Sequence, residues 1–519
     1  MGLLVGGQFD SLIISCKIKY VNVHYLDILC YTFLMALDEI RNERIKKRAI
    51  LVEKGIDPYP SKTERTHTIT DVVKKFSAAT RLKKGVAVAG RVMAKREHGG
   101  SMFLDLRDGT GSIQIFFKED MLGESYALAS DTLDIGDFIE VSGKPFQTNR
   151  GEKTIEAGSW RMLAKSLRPL PEKWHGLQDV EERFRKRYLD LLMNEDVRKR
   201  FLLRSLVVRS IRNFFDGENF LEVETPFLHP IAGGALAKPF ITHHHALDQD
   251  LYLRIAPELY LKRLLVGGFD RVYELGKSFR NEGIDMSHNP EFTSIEWYAA
   301  YWDENQMMEC VERGMRSVLG GVGLEGEVFF DGKQIIFDNN FIRIEFKDVL
   351  KRYALIADYD RETQGSLSTR ARQLGIDASP HASKGKIADE IYKKVCRPYL
   401  IQPTFITHHP LDISPLAKQS EKPDEVRRFQ LIVGGLEIVN AFAELNDPLD
   451  QKIRLQEQVK MKERGEEESH PLDEDFVEAL EYGMPPASGA AIGIDRLVML
   501  LTDTKNIKEV ILFPTMRSK

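Results

Sequence analysis

With 519 residues, 43% of them hydrophobic and 29% charged, the chain can bury more than one core; length alone allows about two to four domains. Lys and Arg number 73 and Asp and Glu 78, a formal charge of -5 that excludes binding a polyanion through bulk basicity, so any nucleic acid must meet a local basic surface. Cys16, Cys30, Cys310 and Cys396 share no C-x-x-C spacing, which excludes a disulfide framework or a cysteine zinc site and fits a reducing, cytoplasmic setting.

Residues 1–34 are the least coherent stretch. Val21 to Leu37 is apolar but interrupted by Asn22, His24, Asp27 and Thr32, short of the ~18 apolar residues of a membrane span. Met1 to Asp10 has no positive charge, so signal-peptide logic fails as well. The stretch is read as an extension before a start at Met35. From there MALDEIRNERIKKRAILVEKG predicts an amphipathic charged helix ending at Gly55 and Asp57-Pro58, within a helical segment at 35–85. Its basic part, Arg41 to Arg48, is either a solvated face or a contact for a nucleic-acid backbone.

Between residues 86 and 167, five runs alternate apolar and polar positions: VAVAGRVMAK, SMFLDLRD, SIQIFFK, DFIEVSGKPF and KTIEAGSWRML. With one helical stretch near Glu119 to Asp131, they predict a Greek-key barrel of the oligonucleotide-binding (OB) type. Phe103 and Gln114 fall on neighbouring strands, close to Arg96. Such a ring, amide and guanidinium suit single-stranded bases, since stacking contributes about 1 to 3 kcal/mol per base; the other reading of Phe103 is ordinary barrel core.

RPLPEKWHGL marks a linker at 168–179, and residues 180–519 form a larger domain mixing helices with apolar strands, an α+β pattern without regular βαβ alternation. No Walker or G-x-G-x-x-G phosphate loop occurs. A helical, lysine-rich insertion is expected at about 348–397. Arg280, at the end of a strand, faces a polar turn and the returning Phe292, a plausible phosphate clamp with a ring platform. Near the C-terminus, the small residues from Gly489 to Gly493 let a backbone approach a ligand, and Arg496 follows at a helix start. Each taken alone is also compatible with a structural salt bridge. The clusters Thr242-His243-His244-His245 and His408-His409 lack zinc-site spacing.

FRNEGIDMSHNPEF with TSIEWYAAY resembles motif 2 of the class II aminoacyl-tRNA synthetases, GIGIDRL their motif 3, and FLEVETP (Phe220 to Pro226) the motif 1 of their dimer interface. GGALAKPF, LRIAPELYLKRLLVGG, HPLDISPLAK and EIVNAFAELNDP resemble the lysyl-tRNA synthetases within that class. The resemblance implies an OB-fold anticodon-binding barrel followed by a catalytic antiparallel sheet flanked by helices. It also implies a cytoplasmic homodimer that joins lysine to ATP as an adenylate and then to tRNA(Lys), with Mg2+ as cofactor.

By resemblance, Glu444 and Tyr298 hold the ε-ammonium of lysine, Glu258 and Glu296 its α-ammonium, and Arg280 and Asn440 its carboxylate, with Gly234 and Phe442 completing the pocket. Carboxylates are what a buried ammonium needs. Glu258, however, follows Pro257 at a helix start, where the dipole favours a carboxylate anyway. Arg280 is also given the α-phosphate, Phe292 and Arg496 the two faces of adenine, and Glu282, His288 and Asn289 further ATP contacts; Arg96, Phe103 and Gln114 would read the anticodon.

Two positions depart from the family pattern. Glu437 stands as one metal-ligating glutamate, but the other such position is Gln430, which keeps a carbonyl and loses a charge; Ala491 stands where glycine is common and adds a methyl to the pocket. Period-two counting puts Glu437 on the opposite face from Asn440, so the strand either bulges there or starts later. These departures motivate a second reading, a non-catalytic RNA-binding or sensing paralogue. A third, an enzyme that attaches lysine to a protein, is opposed by the barrel, and an aspartate or asparagine ligase would need a cationic pocket.

Overall fold

The computed structural model describes residues 37–81, 85–171, 179–235, 237–464 and 470–518; the expectation for residues 1–34 lies outside these. The chain divides into two compact units, Met1–His175 and Gly176–Lys519. No helix among the described residues is long and apolar enough to cross a membrane.

In the first unit, β1 (Val86–His98), β2 (Ser101–Arg107), β3 (Ser112–Lys118), β4 (Phe138–Gln147) and β5 (Lys153–Ala164) close a barrel in the order β1-β2-β3-β5-β4. Closure depends on the length of β1. Its first half pairs with β4 and its second half with β2, and a bulge between Val92 and Ala94 bends it from one partner to the other. Alternation then sends Met102, Leu104, Leu106, Ile113, Ile115 and Phe117 into the core and their neighbours outward.

A helix over residues 37–53 packs on this barrel, with Leu51 fully buried, and the chain leaves it at Gly55, whose φ of 73° suits glycine. The basic stretch on this helix is only partly a solvated face. Arg44 is buried and donates to the carbonyls of Ile135 at 3.0 Å and Arg168 at 3.0 Å, while Lys47 pairs with Asp134 at 2.7 Å. Beneath them the fully buried Lys165 Nζ meets Asp134 at 2.6 Å and Asp137 at 2.8 Å and donates to the Thr132 carbonyl at 2.7 Å. These donors satisfy carboxylates and helix-end carbonyls that would otherwise be stranded.

The second unit is built on an eight-stranded sheet. Its strands are β6 (Leu221–Glu222), β7 (Arg271–Phe279), β8 (Glu291–Ala300), β9 (Ile342–Glu345), β10 (Thr404–Pro410), β11 (Glu425–Val433), β12 (Leu436–Ala443) and β13 (Ala487–Gly493). They run in the order β9-β10-β11-β12-β13-β8-β7-β6, antiparallel except at β9·β10 and β6·β7. Ile295, Trp297 and Ala299 of β8, with Val439, Ala441, Ala490 and Ile492, pack one face against helices Glu195–Gly217, Glu304–Gly321 and Ile494–Leu501. The other face is left for the site, under helix Glu258–Val266, whose Leu261 and Leu265 join Tyr298 and Phe476 in a smaller core. Between β9 and β10, helices Phe346–Tyr353, Gln364–Gln373 and Lys384–Ile391 enclose a core of their own.

Register settles the question raised at Glu437. Leu431 pairs with Val439 but Ile432 with Glu437, so Ile438 is an extra residue and the bulge turns Glu437 to the face of Asn440. His243 pairs with Asp250 at 2.8 Å, and His409 lies buried between Phe346 and Tyr392. Cys310 and Cys396 are free and buried.

Lys165→Met should destabilise the barrel unit by about 3–5 kcal/mol, because it leaves the fully buried Asp137 without its cation while Lys47 still pairs with Asp134. Hydrogen exchange of β4 and β5 amides in the full chain reads this; unchanged protection would contradict it.

Candidate functional site

A cavity of about 370 Å³ opens on the free face of the large sheet. Alternation aims Phe292, Ser294, Glu296 and Tyr298 of β8 into it, with Asn440 and Phe442 from β12 and Gly489, Ala491 and Gly493 from β13. Arg280, Glu282, His288 and Asn289 enter from the loop between β7 and β8, Glu258 and Gly234 from the far side, and Arg496 from helix Ile494–Leu501. Asp495 anchors that helix, accepting from the Thr293 N–H at 2.8 Å and pairing with Arg204 at 2.6 Å.

One end of the cavity is acidic and buried. Glu258, Glu296 and Glu444 are each at most 7% exposed, and Tyr298 donates to Glu296 at 3.3 Å. Burial, then repulsion from Glu258, pushes Glu296 up to about 8 against the pull of Arg280. Glu258 and Glu444 are likewise raised by burial, with Lys262 opposing, and Tyr298 is held well above its ordinary value. Glu444 Oε1 has no hydrogen-bond partner and lies beside Gly489, where a side-chain methyl would overlap both the Tyr298 ring and that oxygen. Glycine there keeps the floor of the cavity open. At Gly234, with φ of 91°, a methyl would press on Ala256 and Glu258.

The other end is basic. Burial lowers Arg280, opposed by Glu282, Glu296 and Glu437, and its guanidinium lies 5.0 Å over the Phe292 ring. A purine stacked on Phe292 would therefore use the ring's other face. Arg496 meets His288 Nε2 at 3.1 Å and donates to the Glu437 carbonyl at 3.4 Å, while Asp285 orients the other nitrogen of His288 at 2.8 Å. Asn289 lines the cavity and also holds the loop: its amide donates to the Glu291 carbonyl at 2.6 Å and its oxygen accepts from the Thr515 N–H at 3.2 Å. Burial pushes Glu437 up, but Arg496, Arg397, Lys393 and Arg428 together hold it below its usual range. Between the two ends Arg428 Nε donates to the side-chain Oδ1 of Asn440 at 2.9 Å, which leaves the side-chain N–H₂ of Asn440 as a donor.

Gln430 is buried and already engaged. It donates to Glu437 at 3.1 Å and accepts from the Tyr392 hydroxyl at 3.3 Å, so its amide braces the carboxylate. No group of three or more His, Cys, Asp or Glu side chains among the described residues is arranged to hold a metal unaided. The geometry fits a cation that brings most of its ligands with it, as Mg2+ does with phosphates, with Glu437 as the protein's carboxylate. Ala491 lies between Glu296 and Asn440, with its methyl in the lining.

Several residues that line the cavity or lie behind its lining were not singled out from sequence. Lys262 carried only an i,i+4 spacing from Glu258, the usual mark of a surface pair. Arg428 and His470 carried no distinctive spacing, and Lys386 and Lys393 reach the cavity from the helical insertion.

The barrel carries a second surface. Phe103 is half-buried on its outer face, ruling out the core reading, and stacks on Phe116 at 4.7 Å with Phe146 next in line. Arg96 forks onto Asp105 at 2.7 and 3.1 Å, and Gln114 accepts from Thr154 at 3.0 Å. Ring, guanidinium and amide thus share one face.

Residues 179–517 match the model of the class II tRNA synthetases (D, K and N), and residues 86–163 that of the OB-fold nucleic acid binding domain. The chain belongs to the class II tRNA synthetases of the D, K and N group. Among its relatives are the lysine–tRNA ligases of Carboxydothermus hydrogenoformans, 48% identical over 93% of this chain and 99% of that one, and of Moorella thermoacetica, 48% identical over 94% and 99%. That of Oceanobacillus iheyensis is 44% identical over 93% and 99%.

Glu296, ordinarily near 4.5 and here about 8, keeps in the folded state a proton that the unfolded chain loses, so its contribution to stability falls as pH rises across that window. A ligand with two ammonium groups favours the ionised form. Calorimetric titration with such a ligand should show proton release at about pH 7 that fades above about pH 9. Heats independent of the buffer's ionisation enthalpy at about pH 7 would contradict this.

Proposed function

We propose that the chain is a lysine–tRNA ligase that activates lysine with ATP and transfers it to tRNA(Lys). The observation that carries this is the polarity of one cavity: buried carboxylates at one end and arginines at the other, bridged by Arg280 and Asn440. Lysine fits that polarity, with its ε-ammonium toward Glu444 and Tyr298, its α-ammonium toward Glu258 and Glu296, and its carboxylate toward Arg280 and Asn440. Gly234 and Phe442 limit the space around the chain.

ATP occupies the basic end, its α-phosphate at Arg280 and its adenine between Phe292 and Arg496. Glu282, His288 and Asn289 give further contacts, Asn289 from the loop that it also holds. The lysine carboxylate is already ionised near neutrality, so its attack on the α-phosphate, which displaces pyrophosphate and leaves lysyl-adenylate, needs no general base; catalysis is positioning and charge neutralisation. Mg2+, when bound, neutralises phosphate charge, and Glu437 with its brace Gln430 is where the protein would meet it. In the second step, the terminal ribose hydroxyl of tRNA takes the lysyl group and AMP leaves. The barrel face of Arg96, Phe103 and Gln114 reads the anticodon. A homodimer forms through Phe220 to Pro226, a segment whose Leu221 is exposed and which is followed by exposed Phe227 and Leu228. The buried free thiols Cys310 and Cys396 fit a cytoplasmic protein.

Lysine-dependent exchange of pyrophosphate into ATP tests the reading. The wild type should support exchange and Arg280→Ala should lose it by roughly a thousandfold. Undiminished exchange in the variant would remove Arg280 from the chemistry.

A further inference from the structure

Lys262 is fully buried behind the acidic end of the cavity, outside its lining, and no step of the reaction uses its ammonium. Its Nζ bridges two carboxylates from separate elements, Glu258 on its own helix at 2.7 Å and Glu444 beyond β12 at 2.5 Å. Two rings flank it, Phe442 at 5.3 Å and Phe476 at 5.9 Å. The charged and titratable groups nearby are these carboxylates, Glu296 and Tyr298 from β8, Arg428 from β11, which draws on Glu258, and His470, which burial and Lys262 itself lower to about 4 and so leave neutral.

We infer that Lys262 is a positioning residue for recognition of the amino acid: its ammonium ties Glu258 and Glu444 into two separate anionic ends, one for each ammonium of a diammonium substrate. The inference rests on the reading of this cavity as the lysine site. Three facts carry it. The bridge fixes both carboxylates at once, so neither can swing to take both charges of the substrate. It leaves Glu444 Oε1 unpartnered at the cavity floor, against Gly489 and Tyr298, where the far end of an extended lysine arrives. Finally, Lys262 is the strongest attraction opposing the cost of burying Glu258 and Glu444 in ionised form. Without it, both would hold their protons more tightly and a cationic ligand would have to displace them.

Lys262→Met keeps the packing and removes the charge. Equilibrium dialysis of labelled lysine at about pH 7 should show affinity reduced roughly 100-fold, with ATP affinity unchanged. At about pH 9 part of that loss should be recovered, because raising pH ionises carboxylates and does not repair packing. Lys262→Arg, which keeps the charge, should retain most of the affinity. Unchanged or tighter lysine binding by the methionine variant would overturn the inference, as would a loss that pH does not relieve. Should that variant not fold, the wild type decides: its buried lysine Nζ should give an exchange-protected ammonium resonance both free and with lysine bound, and disappearance on binding would overturn the bridge. Failure of the wild type to bind lysine would instead remove the reading of the site.

Discussion

The catalytic unit is organised around the burial of Glu258, Glu296 and Glu444 in one small volume. Carboxylates so placed repel one another and lose hydration, and their burial is sustained only by cations or bound protons. Lys262 supplies one fixed cation and Arg280 a second from the opposite side, while raised affinity for protons meets the rest. The protein's own groups therefore leave the cavity short of positive charge at a defined place. A substrate carrying two ammonium groups resolves that shortage, and a neutral side chain of the same length does not.

The basic end follows the complementary rule. Arg496, Arg397, Lys393 and Arg428 hold Glu437 below its usual range against the cost of its burial, so the basic end keeps one carboxylate within a cationic wall. Separating the two ends along one sheet face requires alternation of side chains, which a bulge in β12 interrupts beside the site. The bulge at Ile438 lets Glu437 and Asn440 share a face although their spacing forbids it in a regular strand. The apolar residues displaced by that alternation, including Trp297 and Ala441, form the core beneath.

Much of this was legible in the sequence because motifs 2 and 3 are contiguous strings: Arg280 to Phe292 and Gly489 to Arg496 each occupy one turn or strand end. The OB-type barrel followed from alternating runs. The same alternation places Phe103 outside, since Met102, Leu104 and Leu106 claim the interior. What was hidden depends on distance along the chain. Lys262 looked like half of a surface pair until Glu444, remote in sequence, closed the bridge. Arg44 read as part of a basic face, although its partners are carbonyls at Ile135 and Arg168. Gln430 read as a weakened metal ligand, whereas its amide reaches Glu437 and Tyr392 together.

The central claim is that buried carboxylates select an amino acid by its second ammonium. Norleucine, which matches lysine without that group, provides the most direct comparison. Thermal unfolding with saturating ATP should shift upward by several degrees with lysine and remain nearly unmoved with equal norleucine, since each ~1 kcal/mol of binding shifts the midpoint by a few degrees. Equal stabilisation by the two ligands would contradict the account.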